Sequence, residues 1–151
     1  QRRVQVALAA RTCRAMGIDT PRIALIHCSE TASEKFPYTT DYAAIIAEAQ
    51  RGDYGPCLVD GPLDLRTAID AEALRTKGIE SPLEGRADAL IFPDIEAGNV
   101  FYKAVTGMMH LPNACMMAGT THPVVLPSRG DDADTKYNSM AMAALTLNRH
   151  A

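Results

Sequence analysis

Three short runs of branched and apolar residues constrain this chain most: Ile23-Ala24-Leu25-Ile26, Cys57-Leu58-Val59 and Ala87 to Phe92. Each is continuous rather than alternating and too short for a core helix, which is the pattern of a strand buried on both faces. Asp60-Gly61-Pro62 is expected to stop the second strand and Pro93-Asp94 the third. The stretches around them carry helical spacing instead. Val4 to Met16 places Val4, Ala7, Leu8, Ala15 and Met16 near one face and is closed by Gly17. Asp41 to Ala49 aligns Tyr42, Ile45, Ile46 and Ala49, and Leu63 to Thr76 reads as one amphipathic helix or two short ones ending near Gly78. Ala97 to Met108 gathers Ala97, Val100, Phe101, Ala104, Val105 and Met108 on one face. The last segment, Asp131 to Leu147, aligns Tyr137, Met140, Ala141, Ala144, Leu145 and Asn148. Ala114 to Ala118 and Val124 to Leu126 are two further strand candidates. Strands alternating with helices predict an α/β domain, a mainly parallel sheet with helices on both faces. At 151 residues and 47% hydrophobic content the chain is one domain with enough apolar surface for a core, so a disordered chain is excluded.

Charge and cysteine content narrow the function classes. Fifteen Lys and Arg against 18 Asp and Glu give a net charge of −3, and the bases are scattered, which argues against a dedicated nucleic-acid binder. No apolar run approaches the roughly 20 residues of a membrane-spanning helix, and no secretory signal is visible. Cys13, Cys28, Cys57 and Cys115 contain no Cys-x-x-Cys pair and read as free, buried thiols of a cytoplasmic protein. His27, His110, His122 and His150 form no metal-spaced cluster, so no metal site is expected. Met108, Met109, Met116 and Met117 read as core residues. The chain begins at Gln1, inside a helical pattern, and is expected to be part of a longer protein.

Open α/β sheets bind ligands beyond the carboxyl ends of their strands. That rule selects His27-Cys28-Ser29-Glu30, Asp60-Gly61-Pro62, Pro93-Asp94, Gly119-Thr120-Thr121 and Ser128-Arg129-Gly130. The last carries the most chemistry, since backbone N–H groups at a helix start and an arginine fork suit a phosphate or oxyanion. A plain structural role accounts for the same residues: Ser128 capping the last helix, and Arg129 paired with Asp131, Asp132 or Asp134. Asp60 in a simple turn and Lys103 as a solvated lysine, one turn after Asn99, are equally open. Gly-x-Gly-x-x-Gly, phosphate-loop and Gly-x-Ser-x-Gly patterns are absent.

Taken together, Val59-Asp60-Gly61-Pro62-Leu63, the run from Gly85 to Asn99 with its Pro93-Asp94 and Gly98-Asn99, Tyr102-Lys103, and Pro123 to Leu126 followed by Ser128-Arg129-Gly130 resemble the phosphate acetyltransferase and phosphate butyryltransferase family. The likeness runs from about Glu34 to Leu145. It implies reversible transfer of a short acyl group, acetyl or butyryl, between coenzyme A and inorganic phosphate, giving an acyl phosphate. Coenzyme A is then a substrate, and no cofactor or metal is required. The resemblance also implies a two-lobed fold like that of isocitrate and isopropylmalate dehydrogenases and a cytoplasmic homodimer. Within it, 1–151 would be the carboxyl-terminal part, with 1–110 the core of the second lobe and 111–151 a closing strand and helix.

The family's Ser-Arg pair falls on Ser128 and Arg129. Acetyl-specific members carry an aspartate seven residues past the serine as the base for the thiol proton. Here that position is Thr135, which resembles the butyryl branch. Asp131, next to the Ser-Arg-Gly turn, is the first candidate base and Asp134 the second. Lys103 would attract coenzyme phosphates, and Asn99 and Asp60 match motif positions on the substrate side. Two readings follow: a phosphate acyltransferase, or a catalytically incomplete piece acting as a coenzyme A-binding or oligomerisation module. An acyltransferase that uses acyl carrier protein on the same architecture is a third.

Overall fold

The computed structural model describes residues 1–147, so Asn148 and His150 lie outside the described residues. Helix α1 (Arg2–Ala15) leads into strand β1 (Arg22–Ile26), then helices α2 (Pro37–Thr40) and α3 (Tyr42–Gln50). Strand β2 (Leu58–Leu63) follows, then the short helices α4 (Leu65–Ile69) and α5 (Ala71–Lys77), strand β3 (Ala89–Ile91) and helix α6 (Ile95–Lys103). A π-helical turn over Ala104–Met108 and helix α7 (Ala133–Leu147) complete the order. The three strands are parallel, in the order β2-β1-β3, with Ile23 beside Val59 and Ala89.

β1 lies at the centre and is covered on both faces because its residues alternate between two cores. Ile23 and Leu25 pack with Val6 and Ala10 of α1 and Tyr42, Ile45 and Ala49 of α3. Ala24 and Ile26 face the other way, against Leu63, Ala68 of α4, Leu74 of α5 and Leu83. Ile23 and Leu25 are fully buried, and each such side chain stabilises the fold by about 1.5–3 kcal/mol. Helices on both faces of a parallel sheet match the expectation from the sequence.

β2 does not stop at Asp60-Gly61-Pro62. The strand runs through them, and the β1 pairing jumps from Ala24 with Asp60 to Ile26 with Leu63. This bulge takes Pro62 out of the regular ladder, where its missing N–H would otherwise cost a hydrogen bond. Gly61 adopts φ 151°, and a Cβ there would lie 2.5 Å from the Leu25 carbonyl oxygen. Only glycine fits that approach; the Gly61-Pro62 peptide is cis.

The carboxyl-terminal third departs most from the expected pattern. Ala114–Ala118 and Val124–Leu126 form no sheet strands; a lone antiparallel bridge joins Met117 to Val124. The backbone N–H of Cys115 donates instead to the Ser139 hydroxyl (2.9 Å), so this run is tied to a helix rather than to a strand edge. α6 begins earlier than expected, with Asp94 accepting from the Ala97 N–H (2.7 Å) as its cap. Its apolar face is only partly covered: Phe101 stacks on Phe92, but Val100 is 69% exposed and Met108 in the following turn 81%. α7 is turned the opposite way from its apolar stripe. Thr135, Ser139, Ala143 and Thr146 are buried, whereas Tyr137, Met140 and Leu145 face outward. Ser139 donates to the Thr135 carbonyl (2.6 Å) and Thr146 to that of Ala143 (2.7 Å), so the inward hydroxyls are satisfied within the helix. The cysteines are free but not buried; Cys28, two residues past the end of β1, is exposed. Met108, Met109 and Met117 are likewise exposed rather than core residues.

Lys77, the last residue of α5, ties the loops after β1 and β2 through its Nζ, 2.7 Å from Glu30 and 2.5 Å from Asp64. Burial pushes the Asp64 carboxyl up, but hydrogen bonds from Lys77 and Thr67 outweigh it and hold the group at about 2. A depressed carboxyl contributes stability that is complete above its unfolded value near 3.8 and is lost as pH falls toward 2. Lys77→Met is therefore expected to lower the melting temperature at pH 6. Thermal melts should find the gap between wild type and variant narrowing from pH 4 to pH 2; a constant gap would contradict this role.

Candidate active site

The carboxyl edge of the sheet is closed by aromatic packing. The His27 N–H donates to the Leu63 carbonyl (2.8 Å), and the imidazole, 5% exposed, has its Nδ1 2.9 Å from the Tyr38 hydroxyl. Arg2 lies over the Tyr38 ring at 4.7 Å and donates to the Pro93 carbonyl (2.7 Å). α1 is thereby pinned to the loop after β3. A cavity of about 850 Å³ lies beside this contact, lined by Arg2, Phe92, Pro93, Asp94 and Ile95 among others. Asp60 is half-buried within β2, and its carboxylate accepts from the next N–H, that of Gly61 (2.8 Å).

Ser128, Arg129 and Gly130 form an exposed turn leading into α7. Asp131 clamps it: its carboxylate accepts from the Ser128 N–H (2.7 Å), and its own N–H donates to the Ser128 carbonyl (3.1 Å). Asp132 is the helix cap, accepting from the Thr135 N–H (2.7 Å), and those contacts hold its carboxyl below the usual range. Capping thus falls to Asp132 rather than Ser128. Among the described residues no ion pair joins Arg129 to Asp131, Asp132 or Asp134, and the Ser128 hydroxyl has no hydrogen-bond partner. Neither a cap at Ser128 nor an ion pair at Arg129 is therefore formed among the described residues. Asp134 points its residue into a cavity of about 260 Å³ shared with Thr106, His110, Asn113, Asp132 and Asn138.

Lys103 and Asn99 lie exposed on α6, with the Lys103 Nζ 4.9 Å above the Tyr102 ring. Tyr102 was not singled out as a functional residue by sequence, yet it sits at a junction. Its hydroxyl is 3.4 Å from Asn113 Oδ1 and accepts from the Cys115 thiol at 3.4 Å. That thiol contact, burial, and the negative field of Cys115 and Asp131 push the Tyr102 hydroxyl up to about 12. No hydrogen bond or ion pair links Ser128, Arg129, Lys103, Asn99 and Asp60 to one another among the described residues. Nor do any three His, Cys, Asp or Glu side chains there form a metal-binding group, and no helix is long and apolar enough to cross a membrane.

The sequence matches the family model described as phosphate acetyl/butaryl transferase over residues 3–144. The chain belongs to this phosphate acetyl/butyryl transferase family. It is 41% identical to the phosphate acetyltransferase of Thermotoga maritima over 135 residues, 89% of this chain and 46% of that protein. It is also 41% identical to the phosphate butyryltransferase of Clostridium acetobutylicum over 137 residues, 91% of this chain and 46% of that protein. Equal identity to an acetyl and a butyryl member leaves the branch unassigned by overall likeness. Among solved structures, a branched-chain phosphotransacylase from Enterococcus faecalis superposes with a TM-score of 0.78 at 30% identity, covering 96% of this chain and 53% of that one. The chain spans about half the length of the family members it matches.

The clamp makes a direct prediction about the turn. Asp131→Ala removes the acceptor and should speed amide exchange at Ser128 by about tenfold, whereas Asp131→Asn keeps an acceptor oxygen and should change it little. NMR exchange rates at Ser128 check this, and equal rates in both variants would remove Asp131 from the role.

Proposed function

We propose that the protein containing this chain transfers a short acyl group, acetyl or butyryl, reversibly between coenzyme A and inorganic phosphate. One observation carries the reading: in a chain of this family, the Ser128 hydroxyl and Arg129 guanidinium stand uncommitted in an exposed turn whose backbone is already clamped. In the direction that consumes acyl phosphate, the coenzyme thiol gives up its proton, the thiolate sulfur bonds to the carbonyl carbon, and the carbon–oxygen bond to phosphate breaks. Negative charge develops on the carbonyl oxygen and on the departing phosphate. A hydroxyl and a guanidinium carried on a clamped backbone would stabilise that charge where it develops. Lys103 would attract the phosphates of the coenzyme, and Asn99 and Asp60 would contact substrate. No metal or cofactor is needed for these steps.

Asp134 is the carboxylate that the local geometry favours as the base. Asp131 has an oxygen committed to the Ser128 N–H and Asp132 to that of Thr135, while Asp134 makes no such bond and lines the polar cavity. Residues 1–110 would form the core of the second of two lobes and 111–151 a closing segment, in a cytoplasmic homodimer like the isocitrate dehydrogenase-type fold. The half-length match supports a second reading, a coenzyme A-binding or oligomerisation module without turnover.

Incubation with acetyl- or butyryl-coenzyme A and phosphate separates the two: loss of thioester absorbance supports transfer, and binding without turnover supports the module. In the protein that turns over, Ser128→Ala and Arg129→Ala are each expected to lower kcat about 10²-fold while leaving the melting temperature nearly unchanged. Asp134→Asn should cost about 10²-fold as well. Near-normal turnover in Ser128→Ala or Arg129→Ala would end the assignment of the turn.

A further inference from the structure

We infer that Tyr102 is a positioning residue that holds the Lys103 ammonium and the Ser128-Arg129 turn in register through the two ends of one side chain. This inference rests on the acyl-transfer reading only for its kinetic readout. The ring end lies against Lys103, whose Nζ is 4.9 Å from the ring centre. An aromatic face attracts an ammonium and restricts where a long, flexible lysine holds its charge. The hydroxyl end reaches the segment between the π-helical turn and α7, contacting Asn113 and Cys115 at 3.4 Å each.

From that segment two hydrogen bonds lead into α7. Asn113 Nδ2 donates to the Thr135 hydroxyl (3.3 Å), and the Cys115 N–H donates to the Ser139 hydroxyl (2.9 Å). Ser139 is fully buried and passes its own proton to the Thr135 carbonyl (2.6 Å). Thr135 in turn gives its N–H to Asp132, four residues past Ser128. A continuous polar path therefore runs from the Lys103 helix to Asp132 at the start of α7, just after the Ser-Arg turn. Among the described residues α6 buries none completely, its Phe101 stacks on Phe92, and the outer stripe of α7 faces away. The contacts that join the two elements are those of this polar path.

The two ends of Tyr102 can be tested apart. Tyr102→Phe keeps the ring and loses the hydroxyl; kcat should fall about tenfold with KM for acyl-coenzyme A unchanged. Tyr102→Leu loses both, and KM should rise about fivefold in addition. Asn113→Ala should lower kcat similarly, and its effect should not multiply with that of Tyr102→Phe, since both cut one path. A purely structural residue would lower the melting temperature in both Tyr102 variants without splitting KM from kcat. Amide exchange at Cys115 and Ser128, followed by NMR, needs no turnover, and Tyr102→Phe should quicken both. Full kcat in Tyr102→Phe, or unchanged exchange at both amides, overturns the proposal. Absent turnover in wild type would count against the acyl-transfer reading alone, with the exchange rates still deciding on Tyr102.

Discussion

Two-sided burial of a single strand organises this protein. β1 sends Ile23 and Leu25 into one core and Ala24 and Ile26 into the other, so α1 and α3 cannot be docked independently of α4 and α5. A one-residue slip would exchange the two sets and face the large side chains of one core with the space built for alanine. The close approach of Gly61 to the Leu25 backbone fixes β2 against this strand at its carboxyl end, beside His27 and the aromatic packing of Tyr38. The edge where a ligand would be met is thus held from the centre of the sheet.

Beyond residue 104 the physics changes. The first part is assembled by apolar contact and the last by hydrogen bonds from Asn113, Cys115, Thr135 and Ser139. Buried hydroxyls in a helix are tolerated when each finds a partner, and here each inward hydroxyl of α7 does. Such contacts are directional, which suits a segment whose task is to place a turn rather than to fill a core. The exposed apolar residues of α6 and α7 belong to the same pattern: the described part of the chain leaves them uncovered.

What the sequence made legible follows this division. β1, β3 and most of β2 were readable because branched apolar runs between breakers have few other uses, and the Ser128-Arg129 turn was readable by its place between a strand-like run and a helix. The orientation of α7 was not. Its apolar stripe and its Thr135-Ser139-Ala143-Thr146 stripe share one periodicity, and only the hydroxyl partners decide which faces inward. Ala114 to Ala118 misled for a related reason, since strand propensity says nothing about whether an edge is available. The division of labour among Asp131, Asp132 and Asp134 was equally hidden, because it depends on which N–H groups the turn presents. The passage of β2 through Pro62 needed the bulge to be seen.

The Lys77 bridge has an electrostatic consequence beyond holding two loops together. One ammonium stands between two carboxylates, Glu30 and Asp64, so this corner keeps a net negative charge after pairing. Asp60 in β2 and Asp94 at the start of α6 add to it along the same strand ends. Arg2, stacked on Tyr38 and bonded to the Pro93 carbonyl, sets a cation beside these acids, so the strand ends carry mixed charge, while Arg129 and Lys103 present positive charge in the turn before α7 and on α6. An anionic substrate reaching this edge would have its phosphates drawn to the cations, with the carboxylates left to meet its uncharged parts.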